Sequence, residues 1–402
     1  GGDSNNLYSN YAHILSGLYN KVYSYQGTVS GGAYNTNYSY RGHVGGGWYH
    51  RNYAYYTTIG GGYKHYASGY SSTVSGGYNN SVTDTVDYSA GGRYNHVYND
   101  WSSIHGGEYN GMYGYWGVIG GGSYNVEAYY YGTISGGHNS YVYGYTGTIS
   151  GGMYNTVYYV SYSTVSGGYS NMVYGHYGTI SGGYDNYVTG YSSTVGGGQY
   201  NAVYSAFNTI SGGRYNRAYS YAAVVSGGYY NTVYGSWGSV GGGEYNVVYS
   251  YCAHISGGNN NSVYGYTAFV GGGDYNRAYG YVATIGGGED NSVYYSWSNI
   301  GGGRENYVYD SWTNIGGGYD NSVYNSWSGI AGGYNNKVYS TYSGINGGVS
   351  NTVYGYSSSI VGGSSNKNYG DYSTIINSYG KALYGDFMTA QVGHETPCTT
   401  KV

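Results

Sequence analysis

Apolar side chains recur in this chain at two positions of a 15-residue pattern. Residues 228–242 read GYYNTVYGSWGSVGG, and the following fifteen keep the same order of residue types. If the second glycine of each GG pair is position 1, position 6 is usually Val, and position 13 is Ile or Val in 24 of 25 repeats. This spacing lacks the 3.6-residue period of an amphipathic helix. It favours two short β-branched strands, one on each side of a flattened coil, with both apolar columns pointing inward.

The pattern continues over nearly the whole chain. Twenty-five repeats run from Gly2 to Asn377, all of 15 residues except one of 16. Such regularity is typical of a solenoid in which each repeat is one coil. We therefore predict an all-β fold, a single-chain β-solenoid or β-roll of about 25 fifteen-residue coils. The predicted repeat domain covers residues 1–393, and a short tail covers residues 394–402.

Other positions of the repeat carry turn-forming or polar residues. The GG pairs predict corners with positive φ or close backbone approach. Position 4 is Asn in 22 of the 25 repeats. We expect these asparagines to tolerate the left-handed conformation and to form a ladder of stacked amides. Three repeats depart from the pattern, through Ser89, through Glu127 with Ala128, and through the extra residue after Gly152, and we expect bulges or bends there.

Charge and composition exclude several kinds of partner. Charged residues make up 7% of the chain, its net charge is −4, and its Lys and Arg residues are scattered, so nucleic acid is not expected as a partner. No apolar run is long enough for a membrane-spanning helix. The chain does not begin with Met or an apolar leader, so we expect an extracellular or cell-surface protein whose signal peptide has been removed. Cys252 lies within the repeat array and Cys398 lies beyond its last coil, so no disulfide is expected between them.

The titratable residues do not form a recognisable catalytic set. The closest carboxylate groupings are Asp84 with Asp87 and Glu289 with Asp290, which we interpret as solvated turn residues rather than a Ca²⁺ site. The GGG runs are not followed by GK[ST], so they do not indicate a nucleotide site. We predict no enzyme activity, no catalytic, metal or cofactor-binding residues, and no cofactor.

Tyrosine is the most informative residue type, since 70 of the 402 residues are Tyr. Two aliphatic side chains per coil do not offset the entropy lost in ordering 15 residues, so many tyrosines must be packed, largely against other copies of the chain. Position 7 is Tyr in 21 of 25 repeats, and most corners carry a bulky ring, commonly Tyr at position 9 or Trp at position 10. The predicted self-association residues are Tyr234, Tyr249, Tyr264, Tyr279, Tyr294, Tyr309, Tyr324, Trp237, Trp297, Trp312 and Trp327.

Two stretches, NTVYGSWGSVGGGEYN and YGDYSTI, resemble the head repeats of trimeric autotransporter adhesins. The resemblance implies a left-handed β-roll, a trimer and a cell-surface location. The chain differs from those repeats in its longer unit and in its Tyr at position 7. By composition alone, it also resembles the sheath proteins of methanogenic archaea.

These observations lead to one functional hypothesis and two alternatives. The hypothesis is a non-enzymatic structural protein that assembles with itself into an extracellular fibre, coat or cell sheath of amyloid-like stability. The first alternative is a trimeric surface adhesin that binds matrix or glycan. The second is an ice-binding solenoid, suggested by hydroxyl residues at positions 12 and 14, as in Thr133 with Ser135 and Thr179 with Ser181.

Overall fold

The fold is a β-solenoid, as predicted. The structure is a computed structural model that describes residues 2–391. Within these residues every regular element is a β-strand, and the strands follow one another in about 26 turns of roughly 15 residues. The chain divides into two compact units, residues 1–203 (unit 1) and 204–402 (unit 2). The predicted tail, with Pro397 and Cys398, lies outside the described residues.

Unit 1 contains two parallel sheets, and each coil contributes one short strand to each sheet. The strands at positions 5 and 6 are β1 (Asn6–Leu7), β3 (Lys21–Val22), β5 (Thr36–Asn37), β7 (Arg51–Asn52), β9 (Tyr66–Ala67), β11 (Ser81–Val82), β13 (His96–Val97), β15 (Gly111–Met112), β17 (Val126–Glu127), β19 (Tyr141–Val142), β21 (Thr156–Val157), β23 (Met172–Val173), β25 (Tyr187–Val188) and β27 (Ala202–Val203). Those at positions 12 and 13 are β2 (His13–Ile14), β4 (Thr28–Val29), β6 (His43–Val44), β8 (Thr58–Ile59), β10 (Thr73–Val74), β12 (Tyr88–Ser89), β14 (Ser103–Ile104), β16 (Val118–Ile119), β18 (Thr133–Ile134), β20 (Thr148–Ile149), β22 (Thr164–Val165), β24 (Thr179–Ile180) and β26 (Thr194–Val195).

Unit 2 repeats this arrangement. Its strands at positions 12 and 13 are β28 (Thr209–Ile210), β30 (Val224–Val225), β32 (Ser239–Val240), β34 (His254–Ile255), β36 (Phe269–Val270), β38 (Thr284–Ile285), β40 (Asn299–Ile300), β42 (Asn314–Ile315), β44 (Gly329–Ile330), β46 (Gly344–Ile345), β48 (Ser359–Ser364), β50 (Thr374–Tyr379) and β52 (Thr389–Gln391). Those at positions 5 and 6 are β29 (Arg217–Ala218), β31 (Thr232–Val233), β33 (Val247–Val248), β35 (Ser262–Val263), β37 (Arg277–Ala278), β39 (Ser292–Val293), β41 (Tyr307–Val308), β43 (Ser322–Val323), β45 (Lys337–Val338), β47 (Thr352–Val353), β49 (Lys367–Asn368) and β51 (Ala382–Leu383).

Parallel pairing in register brings identical repeat positions into columns. In unit 2, Ile285 lies opposite Ile300, which lies opposite Ile315, and all three side chains have no exposed surface. Val293 and Val308 at position 6 are equally buried. The prediction that both aliphatic columns point inward is therefore confirmed.

The asparagines at position 4 form the polar spine of each unit. The backbone N–H of Asn306 donates to the amide oxygen of Asn291 at 3.0 Å, and the Asn291 amide nitrogen donates to the carbonyls of Gly287 at 3.0 Å and Gly303 at 2.9 Å. Asn291 and Asn306 are fully buried, and the pairing of the Asn291 amide satisfies backbone groups at a corner that strand pairing leaves open. The predicted amide ladder is confirmed.

The predicted left-handed conformation of these asparagines is wrong, because the positive φ falls on positions 3 and 10 instead. Tyr245 at position 3 has φ 54°, and Trp297 at position 10 has φ 53°. Their N–H groups donate to the preceding coil, to Tyr229 and Tyr281 respectively, whereas the N–H of Tyr294 donates to Val308 of the following coil. The left-handed conformation reverses the direction of the N–H, and the hydrogen bond it permits offsets a cost of about 1–2 kcal/mol.

Of the three irregular repeats, only the last contains an insertion. Ser89 in β12 and Glu127 in β17 keep the regular register, so the bulges predicted there are absent. The extra residue after Gly152 lies in the turn between β21 and β22, where Tyr159 takes an additional positive φ of 45° and Val160 is buried. A polar side chain replaces an apolar one in the first two coils without altering the backbone, because the strand hydrogen bonds do not depend on side-chain type.

Candidate functional surface of stacked aromatic rings

The most continuous surface feature is the tyrosine column of unit 2, which we define as the position 7 residues from Tyr204 to Tyr384. Position 7 follows the inward-facing position 6, so its side chain points outward, and pairing in register places each ring above the previous one. Twelve successive ring pairs are stacked, with centroids 4.5–5.4 Å apart and planes within 12° of parallel. The column therefore runs without interruption over thirteen coils.

The predicted position 7 residues all lie in this column. They are Tyr234, Tyr249, Tyr264, Tyr279, Tyr294, Tyr309 and Tyr324. Neighbouring coils bury much of each tyrosine ring. The composition leads us to expect that other copies of the chain would bury most of this surface. What remains exposed is the ring edge and the hydroxyl, as in Tyr249 at 45% and Tyr309 at 36%.

The phenols of Tyr249, Tyr279 and Tyr309 in this column are held protonated at neutral pH. Partial burial, together with the neighbouring tyrosines, raises the pKa of Tyr249, Tyr279 and Tyr309 above the ordinary value of 10. An outside partner therefore meets an uncharged row of aromatic edges and hydroxyl groups, which suits hydrogen bonding and apolar contact rather than ion pairing.

A second aromatic row follows the corner at positions 9 and 10, and we call it the corner row. Tyr251, Tyr266 and Tyr281 at position 9 stack on one another, with centroids 5.2 and 5.4 Å apart. Tyr281 then meets the edge of Trp297 at 5.2 Å, and the row continues through position 10. Tyr at position 9 and Trp at position 10 thus fill the same corner in successive coils, as the pattern of one bulky ring per corner indicates.

The four predicted tryptophans do not form one group. Trp297, Trp312 and Trp327 stack in parallel, with centroids 4.7 and 5.0 Å apart. Trp237 lies four coils before this stack and instead contacts Tyr221 edge-on at 5.6 Å. All four indoles are about half exposed, so each presents apolar surface at the corner.

Among residues 2–391, the buried His, Asp and Glu side chains all lie in unit 1. His50 and His65 occupy position 4, and burial lowers the pKa of each to about 4. Burial raises the pKa of Glu127, at position 6, to about 8, and that of Asp87, at position 11, to about 7. Asp87 is 1% exposed, so its interpretation as a solvated turn residue is wrong.

The other candidate carboxylates lie on the surface. Arg304 contacts Glu289 at 3.6 Å, and Arg277 contacts Asp290 at 3.0 Å. Within residues 2–391, no three His, Cys, Asp or Glu side chains converge in a way that could hold a metal ion. Cys252 is a free, exposed thiol.

No known protein-family model matches this chain, and no curated protein shows significant similarity to it. The part of the chain that the structure describes contains no helix with the length and apolar character needed to cross a membrane. Functional inference therefore depends on the surfaces described above.

Proposed function

We propose that this chain is a non-enzymatic structural protein that assembles with copies of itself into an extracellular fibre, coat or sheath. The observation that supports the proposal is the tyrosine column of unit 2. Thirteen rings of about 200 Å² each, exposed by roughly two fifths, present on the order of 1,000 Å². A stable protein interface buries about 800 Å² per partner, so the column alone is large enough to hold two molecules together.

The uniformity of the column favours another copy as the partner. A site for one small ligand brings together a few distinct polar groups in a concave pocket. The column instead offers the same ring edge and hydroxyl in every coil. Such a surface is matched best by another periodic surface with the same repeat, and every copy of the chain carries one.

Replacement of part of the column tests the proposal. Tyr279, Tyr294, Tyr309 and Tyr324 are changed together to Ser, a residue that position 7 already accommodates at Ser68. Size-exclusion chromatography with light scattering should show large assemblies for the wild-type chain and mainly dissociated chains for the variant. Circular dichroism should show β-structure in both, because the aliphatic and asparagine columns are unchanged.

The matched control removes four tyrosines from another column of the same unit. Tyr215, Tyr230, Tyr245 and Tyr275 at position 3 are changed to Ser, which occupies that position at Ser350 with φ 52°. This control should assemble like the wild type. Equal dissociation of both variants, or full assembly of the position 7 variant, would contradict the proposed role of the column. A discrete trimer of the wild-type chain would favour the adhesin alternative.

A surface of unit 1 supports ice binding as a second candidate function. Five successive coils place threonine at position 12 in register, and four of them add an exposed serine at position 14. The threonines are Thr133, Thr148, Thr164, Thr179 and Thr194, and the serines are Ser135, Ser150, Ser166 and Ser181. A regular, flat array of hydroxyl and methyl groups can order water in the same way along its length.

Ice-growth measurements test this candidate directly. The wild-type chain should shape ice crystals, and the double variant Thr148→Tyr/Thr179→Tyr should lose this effect because two bulky rings interrupt the array. Position 12 accommodates tyrosine natively at Tyr88, so the fold should be kept. Normal ice growth in the presence of the wild-type chain would exclude the candidate.

A further inference from the structure

The first coils of unit 1 carry a charge that differs in sign from the rest of the chain. Residues 4–83 contain no Asp or Glu but four Lys or Arg residues, namely Lys21, Arg41, Arg51 and Lys64. This stretch is therefore formally +4, whereas the remaining residues total −8 and bring the whole chain to −4. Lys and Arg are scattered along the chain as a whole, but residues 4–83 have a local excess of positive charge.

Two of these cations line a surface groove in the same coils. The groove runs between position 3, occupied by Tyr34, Tyr49 and Lys64, and position 5, occupied by Arg51 and Tyr66. Both Arg51 and Lys64 are exposed. Among the described residues, neither has a carboxylate within ion-pair distance, in contrast to Arg93, which contacts Glu108 at 2.6 Å.

Stacking between successive coils covers ring faces of three tyrosines of the groove. Tyr34 lies between Tyr19 and Tyr49, parallel to both, with centroids 5.1 and 4.9 Å apart. Tyr63 likewise stacks on Tyr78 at 5.0 Å. Because both faces of Tyr34 and one face each of Tyr49 and Tyr63 are covered by neighbouring rings, these tyrosines offer mainly ring edges and phenolic hydroxyl groups to a partner.

We propose that this groove binds an acidic polysaccharide. Arg51 and Lys64 would pair with its carboxylate or sulfate groups, and the phenolic hydroxyls would hydrogen-bond to its sugar hydroxyls. A single-stranded nucleic acid carries similar charge but binds largely by stacking its bases on free aromatic faces, and stacking between coils covers both faces of Tyr34 and one face each of Tyr49 and Tyr63. The groove is on different repeat positions from the tyrosine column of unit 2, so this proposal does not depend on self-assembly.

Titration with a fluorescent oligogalacturonate by fluorescence anisotropy tests the proposal. Neutral dextran of similar length and an oligothymidylate are the comparison probes. The oligogalacturonate should bind the wild-type chain, with affinity falling as salt rises, and neutral dextran should not bind. The double variant Arg51→Gln/Lys64→Gln should bind at least tenfold more weakly. Tyr49→Ser should also weaken binding, because it removes one hydroxyl from the groove.

The matched control makes the same charge change on a different surface. Lys337→Gln/Lys367→Gln alters two position 5 lysines of unit 2 and should leave affinity within twofold of wild type. Circular dichroism checks that each variant folds. An equal loss of oligogalacturonate affinity in both double variants would show that general charge attraction explains binding, which would overturn the proposal. Absence of oligogalacturonate binding, or tighter binding of oligothymidylate with the same dependence on Arg51 and Lys64, would overturn it as well.

Discussion

Nδ1 of His50 accepts the backbone N–H of His65 at 3.1 Å, in the place where an asparagine would offer its amide oxygen. The two rings are parallel, with centroids 5.0 Å apart, and Nδ1 of His65 accepts the N–H of Asn80 in the same way. Imidazole thus substitutes for the amide only while Nδ1 has no proton. Nε2 of each ring is buried near the glycine carbonyls that an asparagine amide nitrogen would reach, those of Gly46 and Gly62 for His50 and those of Gly61 and Gly77 for His65, but it forms no well-aligned hydrogen bond among the described residues.

The histidine pair should make unit 1 sensitive to acid. Burial, and for His50 also the neighbouring His65, lowers the folded-state pKa from 6.5 to about 4. The unfolded chain therefore binds more protons between these values, and stability falls as pH decreases from about 6.5 to 4, by about 3 kcal/mol per histidine. Urea unfolding followed by circular dichroism at pH 7 and pH 4.5 measures the loss.

The double variant His50→Asn/His65→Asn restores the usual residue of position 4 and should lose most of this acid sensitivity. His13→Asn/His43→Asn, which replaces two exposed histidines, is the control and should unfold like the wild type at both pH values. Unchanged acid sensitivity in the position 4 variant would show that the pair is not its cause.

Glu127 should destabilise unit 1 as pH rises, which is opposite to the effect of the histidine pair. Its carboxyl group accepts the N–H of Tyr129 at 3.0 Å, and burial raises its pKa from 4.5 to about 8. As pH rises, Glu127 loses its proton at a lower pH in the unfolded chain than in the folded one. The free energy of unfolding therefore falls between about pH 4.5 and 8, by up to about 5 kcal/mol. Glu127→Gln should be more stable than wild type at pH 8 and similar at pH 4, as measured by urea unfolding. Glu108→Gln, at a partly exposed residue that pairs with Arg93 on the surface, should change stability by less than about 1 kcal/mol at either pH.

Removal of one spine asparagine should be costly. Asn291→Ala deletes an amide that pairs with Gly287, Gly303 and Asn306 and leaves these buried backbone groups unsatisfied. We expect a loss of about 2–4 kcal/mol in the free energy of unfolding. Asn299→Ala, in which the amide lies on the surface, should cost less than about 0.5 kcal/mol. Similar losses in both variants would contradict the structural role of the spine.

Two adjacent glycines of one GGG run should respond differently to alanine. Gly303 has φ 89°, and a Cβ there would lie 2.1 Å from the carbonyl oxygen of Gly318. A Cβ on Gly302 would have no atom nearer than 4.0 Å. Gly303→Ala should therefore destabilise unit 2 by at least about 2 kcal/mol, and Gly302→Ala by less than about 0.5 kcal/mol. Thermal unfolding by circular dichroism separates the two outcomes.

The columns of this protein could be predicted because each repeat position maps to one line of side chains. Val at position 6 and Ile at position 13 are inward because apolar residues with this spacing have no other place to be buried. Asn at position 4 forms a ladder because parallel strands in register stack like on like. The tyrosines at position 7 follow by the same rule, as Tyr279 and Tyr294 show.

The corners could not be predicted with the same success. Tyrosine and tryptophan are poor choices for a positive φ by intrinsic preference, yet Tyr245 and Trp312 adopt it. The direction of the N–H bonds to the preceding coil selects that conformation, and side-chain type has little influence on it. The groove beside Arg51 and the burial of Asp87 also depend on how separate positions of neighbouring coils meet.

The fifteen-residue period was sufficient to establish the solenoid, its two apolar columns and its asparagine spine, because these depend only on which residues recur. Tertiary structure alone decided which backbone positions turn left-handed, which ring surfaces stay exposed, and which ionisable groups are buried. Those features depend on contacts between different positions of successive coils. A period places identical positions above one another, but the path of the backbone around the coil decides which different positions become neighbours.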